Sequence, residues 1–167
     1  EIALAVDFEA SATTVYRANF PLAKNLTTTS VEFLFDGELG TKPTELERLT
    51  QSEVGPIHAL VGGPPCQGHS NLNNHTRRID PKNNLYLYMV RAAEILTPEI
   101  VLVENVPAVL NDRHDDENVV QKARDGFRAA GYSVADEVVS LYDLGVAQTR
   151  KRHILIASSH NGLDPAG

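Results

Sequence analysis

The sequence predicts an α/β protein with a Rossmann-like, mostly parallel sheet and helices on both faces. Three observations predict it. Short runs rich in Val, Ile and Leu alternate with helix-length segments in the order β-α-β-α-β-loop-α-β-α-β-β, the pattern of successive βαβ units. The two most apolar runs, residues 57–61 and 100–104, are each followed closely by proline or glycine, as buried parallel strands are when they reach a sheet edge. The chain then ends on two strands with no helix between them, which predicts an antiparallel pair at one side.

Each element follows in order. Residues 2–7 are an apolar run closing on Asp7, and residues 9–19 have helical spacing with Pro21 as a stop. Residues 26–35, rich in Thr, Val and Phe, predict a second strand. Residues 43–53 predict a short helix capped by Thr41 or Thr44. Residues 57–61 predict a buried strand that must turn at Gly62-Gly63-Pro64-Pro65, because neither residue type continues a ladder well. Residues 68–82 are polar throughout, with Leu72 and Ile79 as the only apolar anchors, so a long, mobile exposed loop is expected there. From Asn83, the positions Leu85, Tyr88, Met89, Ala92, Ala93 and Leu96 keep helical spacing until Pro98. A buried strand at 100–104, an amphipathic helix at 118–130 closed by Gly131, and strands at 132–141 and 152–158 complete the chain.

Composition narrows the function classes. With 167 residues, 42% of them hydrophobic and 22% charged, the chain fits one globular domain, 1–167, with a core of its own. No apolar run approaches the roughly 20 residues a membrane span needs, and no secretory signal opens the sequence. The single cysteine, Cys66, excludes an internal disulfide and a cysteine-rich zinc site, so a cytosolic-type protein (cytoplasmic or nuclear) without a metal is expected. The net charge of −7 argues against a broad basic face. Two local clusters, Arg77-Arg78 with Lys82 and Arg150-Lys151-Arg152, read either as solvated loop charge or as phosphate contacts.

Ligands of open parallel sheets sit beyond the carboxyl ends of the strands, and three features fall there. The strand at 57–61 delivers Gly-Gly-Pro-Pro-Cys-Gln, which mounts Cys66 after a rigid turn among polar residues, where a packing role does not suit it. A thiol nucleophile needs such a mount, aimed and accessible. The strand at 100–104 releases Glu104 straight after four apolar residues, either as a functional carboxyl or as a cap or ion-pair partner. In Gln148-Thr149-Arg150-Lys151-Arg152 the two arginines are two apart, so an extended segment turns both to one face.

These segments resemble the C5-cytosine-specific DNA methyltransferase family. The resemblance rests on Pro-Pro-Cys-Gln at residues 64–67, Glu-Asn-Val at 104–106 and Gln-x-Arg-x-Arg at 148–152, in that order and each placed beside a predicted strand. DPKNNL at 80–85 and AVDFEASA at 5–12 support it. It covers nearly the whole chain and implies the fold of S-adenosylmethionine-dependent methyltransferases. It also implies transfer of a methyl group to C5 of a flipped cytosine in double-stranded DNA, as in restriction-modification, with no metal, no membrane and no obligate protein partner.

By the resemblance, Cys66 is the nucleophile at C6, Glu104 serves N3 and the exocyclic amine, and Arg152 with Arg150 holds the O2 edge. Asp7 would bind the ribose hydroxyls of S-adenosylmethionine, Phe8 would stack on its adenine, and Pro65 and Leu85 would line the same pocket. Gln67, Ser70, Asn105, Arg77 and Arg78 would meet the DNA. Departures accompany the matches. Family members begin with a strand and a Phe-x-Gly-x-Gly loop and continue into a target-recognition region, neither of which is found here, so an incomplete catalytic domain is expected. The family's Gly-Phe-Ser is Gly68-His69-Ser70 in this chain. Two rivals stand beside this reading: the tRNA-methylating branch of the same family, and a catalytically silent DNA-binding or regulatory module.

Overall fold

The alternation appears in the computed structural model, which describes residues 1–65, 85–111, 113–114 and 117–160. In chain order the elements are β1 (Leu4–Asp7), α1 (Ala10–Asn19), β2 (Asn25–Thr28), α2 (Glu45–Val54), β3 (Ala59–Gly62), α3 (Leu85–Leu96) and β4 (Ile100–Asn105). They continue with β5 (Arg113–His114), β6 (Glu117–Asn118), α4 (Val119–Ala129), β7 (Ser133–Ser140) and β8 (Lys151–Ser158). The expected mobile loop at 68–82 lies outside the described residues.

Strands β1 and β2 form a parallel pair, and a separate four-stranded sheet has the order β3-β4-β8-β7. Within it β3 and β4 are parallel, whereas β8 runs antiparallel to β4 on one side and to β7 on the other. The closing antiparallel pair is therefore present, and its last strand is inserted beside β4. That insertion matters for the site, because the amino end of β8 comes to lie at the carboxyl end of β4, with His153 opposite Asn105.

One face of this sheet is the core. Val101 and Val103 of β4 and Leu155 and Ala157 of β8 are fully buried against Val90 and Ala93 of α3 and Val120, Ala123 and Phe127 of α4. Burial of each such side chain is worth about 1.5–3 kcal/mol for the larger ones, which makes this layer the main source of cohesion. Helix α4 suits the place because its apolar residues recur on one stripe. Asn118 caps it, with Oδ1 accepting from Gln121 N at 2.9 Å. The opposite face is only partly covered by described residues. The strand at 57–61, expected to be buried, is the sheet's outer member, and Val61 is 69% exposed.

The strand expected at 26–35 stops at Thr28, where its partner β1 ends, and Val31–Phe33 is a 3-10 turn. The turn carries Phe35 inward to pack with Ala92, Ile95 and Leu96, and that burial outweighs the β-propensity of the segment. Helix α2 is capped by Thr44, not Thr41: Thr44 Oγ1 accepts from Glu47 N and Glu47 Oε2 accepts from Thr44 N, a reciprocal capping box. The pair β5–β6, two residues each, is too short to show any periodicity and was not predicted from the sequence.

A buried ion cluster joins α2 to α3. Arg91, with 2% of its side chain exposed, sends Nε to Glu47 Oε1 at 2.8 Å, Nη2 to Glu47 Oε2 at 2.7 Å and Nη1 to Glu94 Oε2 at 2.9 Å. Gly37 lies close beside it, since a Cβ there would stand 2.4 Å from Arg91 Nη2 and would force the ion pair to shift. Burial pushes the Glu47 carboxyl up, but the Arg91 hydrogen bond, the Thr44 and Gly37 amides and the Arg91 charge together outweigh it. The carboxyl is held below the ordinary range.

Candidate active site

The site is built on the carboxyl ends of β3 and β4 and the amino end of β8. Glu104 and Arg152 lie on the same face of neighbouring strands, Glu104 opposite Ile154 and Arg152 two residues before it. Their side chains meet with Arg152 Nε 2.5 Å from Glu104 Oε1. The arginine is the more enclosed partner, 14% exposed against 43% for the carboxylate, so the open side of the pair is the acid. A Cβ on Gly63 would stand 3.4 Å from Glu104 Oε2, which puts the carboxylate against the turn that leads out of β3.

Asn105 fastens that turn. It is buried, donates Nδ2 to Pro64 O at 3.0 Å and accepts Val106 N on Oδ1 at 2.8 Å. Both ends of its amide are therefore engaged with backbone, an arrangement that holds the Pro-Pro segment. Arg150 is exposed and precedes β8, its carbonyl accepting from Leu141 N at 2.9 Å. Of the two arginines, Arg152 is the one that meets the carboxylate. Cys66, Gln67, Ser70, Arg77 and Arg78 lie outside the described residues; Cys66 is next in the chain after Pro65.

Asp7 ends β1 and is exposed, with Oδ1 accepting Glu9 N at 2.8 Å ahead of α1. Phe8 follows with 58% of its surface exposed, so it does not serve the core. Pro65 is exposed and Leu85 is half-buried at the first position of α3. An acid that can accept hydroxyls, followed by an open aromatic ring, is a donor set suited to a nucleoside.

Directly behind the Glu104–Arg152 pair, on the core face, lies a polar group that motif reading missed. Asp136 of β7 accepts Arg124 Nε at 2.7 Å and Nη2 at 2.6 Å, and its Oδ2 is 2.7 Å from Nε2 of the fully buried His153. The Arg124 hydrogen bonds hold the Asp136 carboxyl below the usual range against the opposing effect of burial, with a further contribution from His153. The only sequence signal was alternation: His153 shares the inward face of β8 with Leu155 and Ala157.

Comparison with solved structures defines the class. The chain superposes on a DNA modification methyltransferase encoded within an E. coli prophage with a TM-score of 0.71 and 25% identity, covering 95% of this chain and 40% of that one. The S. pombe Dnmt2 methyltransferase shares the fold at a TM-score of 0.69 and 18% identity, covering 97% of this chain and 45% of that one. The fold is thus that of the methyltransferases.

The family follows from sequence. The model for C-5 cytosine-specific DNA methylases matches residues 1–164, and this chain belongs to that family. It is 39% identical over 154 residues to the Type II methyltransferase M1.BsuMI of Bacillus subtilis, covering 92% of this chain and 35% of the relative. Against M1.HphI of Haemophilus parahaemolyticus the identity is 30% over 165 residues, covering 95% and 40%. The chain therefore spans well under half the length of these curated relatives.

Proposed function

We propose that this chain is catalytic machinery for methylating C5 of a flipped cytosine in double-stranded DNA, with Cys66 as the covalent nucleophile and S-adenosylmethionine as the donor. The observation that carries the reading is the Glu104–Arg152 pair, 2.5 Å apart and seated against Gly63 of the turn that leads to Cys66. Family membership over residues 1–164 supports the same chemistry.

Cytosine C5 is a weak nucleophile, so the ring must first gain electron density. The Cys66 thiolate adds to C6, and the displaced π electrons move into the ring toward N3 and O2. Glu104 faces N3 and the exocyclic amine, where charge develops, and the Arg152 guanidinium faces the O2 edge. Bound S-adenosylmethionine supplies an electrophilic methyl group. C5 would take that methyl group with S-adenosylhomocysteine departing, and loss of the C5 proton to a base then restores the C5–C6 double bond and expels the Cys66 thiolate. Asn105 fixes the Pro64 carbonyl and so the start of the segment that presents the nucleophile. Asp7 and Phe8 fit the ribose and adenine of the donor: the carboxylate accepts hydroxyls and the exposed ring offers a stacking face. The base leaves the helix because its C5 and C6 are unreachable in the stack, and Arg77 and Arg78 contact phosphates.

The test uses the full-length protein, duplex DNA carrying 5-fluorocytosine at target positions, and S-adenosylmethionine. Fluorine cannot leave as a proton does, so the wild type should form a denaturant-resistant adduct, whereas Cys66→Ser should form none and should still bind the donor. An adduct with Cys66→Ser would refute the nucleophile. Methylation of tRNA but not duplex DNA would refute the substrate.

A further inference from the structure

We infer that His153 is a positioning residue for Arg152, held by Asp136 and Arg124 so that the arginine is fixed on the catalytic face of β8. The inference rests on the proposed role of Arg152. Successive residues of a strand point to opposite faces, so His153 and Arg152 share one backbone segment while facing the core and the site respectively. Anchoring the first therefore fixes the second.

The anchor is strong and specific. His153 is fully buried, and its Nε2 sits 2.7 Å from Asp136 Oδ2. Asp136 is itself clamped by two hydrogen bonds from the Arg124 guanidinium of α4, at 2.7 and 2.6 Å. A carboxylate engaged by an arginine is an acceptor, so Nε2 donates to it and Nδ1 is left for another partner. That Nδ1 has no hydrogen-bond partner among the described residues, and neither has the buried hydroxyl of Tyr86 at the start of α3. A histidine that satisfies only one of its two nitrogens in the core does not serve packing, which an apolar residue such as Leu155 on the same face would serve without an orphaned atom. What the imidazole adds is direction. It ties β8 to Asp136 of β7 and, through Arg124, to α4, at the level where Asn105 lies opposite it and holds Pro64. The two strand ends that carry Arg152 and Glu104 are thus each secured from behind by one polar side chain, His153 on β8 and Asn105 on β4.

The variants are His153→Leu, which removes the donor at similar bulk, and His153→Gln, whose amide can donate toward Asp136. Neither strips Asp136 of Arg124, so both should fold. Single-turnover methyl transfer is measured in the full-length protein, with rates normalised to the fraction that forms the fluorocytosine adduct. His153→Leu should slow the step about tenfold with the half-saturating concentrations of DNA and S-adenosylmethionine unchanged, and His153→Gln should recover most of the loss. The deciding readout is a double-mutant cycle. In an Arg152→Ala background, His153→Leu should cost nothing further, because the group it positions is gone. An equal loss in both backgrounds, or a normal rate for His153→Leu, would overturn the inference. If Arg152→Ala alone left the rate unchanged, the proposed role of Arg152 would fail instead.

Discussion

Glu47→Ala is expected to be among the most destabilising single changes in the chain. Glu47 is fully buried and accepts four hydrogen bonds, from Gly37 N, Thr44 N, and Nε and Nη2 of Arg91. Removing one partner of a buried ion pair costs about 3–5 kcal/mol, chiefly because the other charge stays buried and uncompensated. Arg91 retains Glu94 and the carbonyls of Thr41 and Lys42, which places the expected loss near the lower end, about 3 kcal/mol. Set against a typical total of roughly 5–15 kcal/mol, the domain should still fold but with a visibly lower urea midpoint. Removing both charges in Glu47→Met with Arg91→Met should recover part of that loss, since neither member of the pair is left buried alone and only the partly exposed Glu94 loses its cation. The pH dependence has a definite sign. The Glu47 carboxyl is held below its ordinary value, so its contribution is present above the unfolded value of about 4.3 and is lost as pH falls through the folded one. The gap between wild type and Glu47→Gln should accordingly be full at pH 7 and shrink in acid. Urea titrations at pH 7 and in acid decide the matter. A loss below about 1 kcal/mol, or a double variant as unstable as the sum of its singles, would refute the reasoning.

Three further outcomes are expected. Asn118→Ala should cost about 1–2 kcal/mol in urea unfolding, because it removes both the α4 cap to Gln121 N and the donation to Leu110 O. Asn105→Ala should free the Pro64 carbonyl and slow single-turnover methyl transfer without weakening donor binding, and an unchanged rate would show that the turn holds itself. Asp7→Asn should weaken binding of S-adenosylmethionine about tenfold in calorimetry, and wild-type affinity would exclude Asp7 from the ribose site.

What could be read from the sequence was whatever a local pattern or a chemical constraint writes into consecutive residues. The strand ends at Gly62 and Asn105 were legible because glycine and proline follow them, and α4 because its apolar residues fall on one stripe. Glu104 and Arg152 were legible as charged residues at the ends of apolar runs, and the structure pairs their side chains. The fate of residues 26–35 was not, since the burial of Phe35 against α3 is a long-range gain that no local propensity encodes. The Glu47–Arg91 cluster joins residues 44 positions apart, and the Arg124–Asp136–His153 group joins three elements. Each member looks like an ordinary charged or polar residue in its own segment. The register of β7 with β8, which sets Asp136 opposite Leu155, two residues along the same face from His153, brings the last group together.

The register of β4 with β8 likewise lets two strands carry proposed catalytic residues and anchoring residues without interference. On β4 the pair Glu104 and Asn105, and on β8 the pair Arg152 and His153, are neighbours in sequence and opposite in orientation. Glu104 and Arg152 meet on the more open face, while Asn105 and His153 are buried on the other. A slip of one residue in either strand would turn His153 or Asn105 outward and bury Glu104 or Arg152 without its partner, at the cost of an unpaired charge in the core. The energetic penalty for the wrong register is therefore largest at the positions where the proposed chemistry needs the right one.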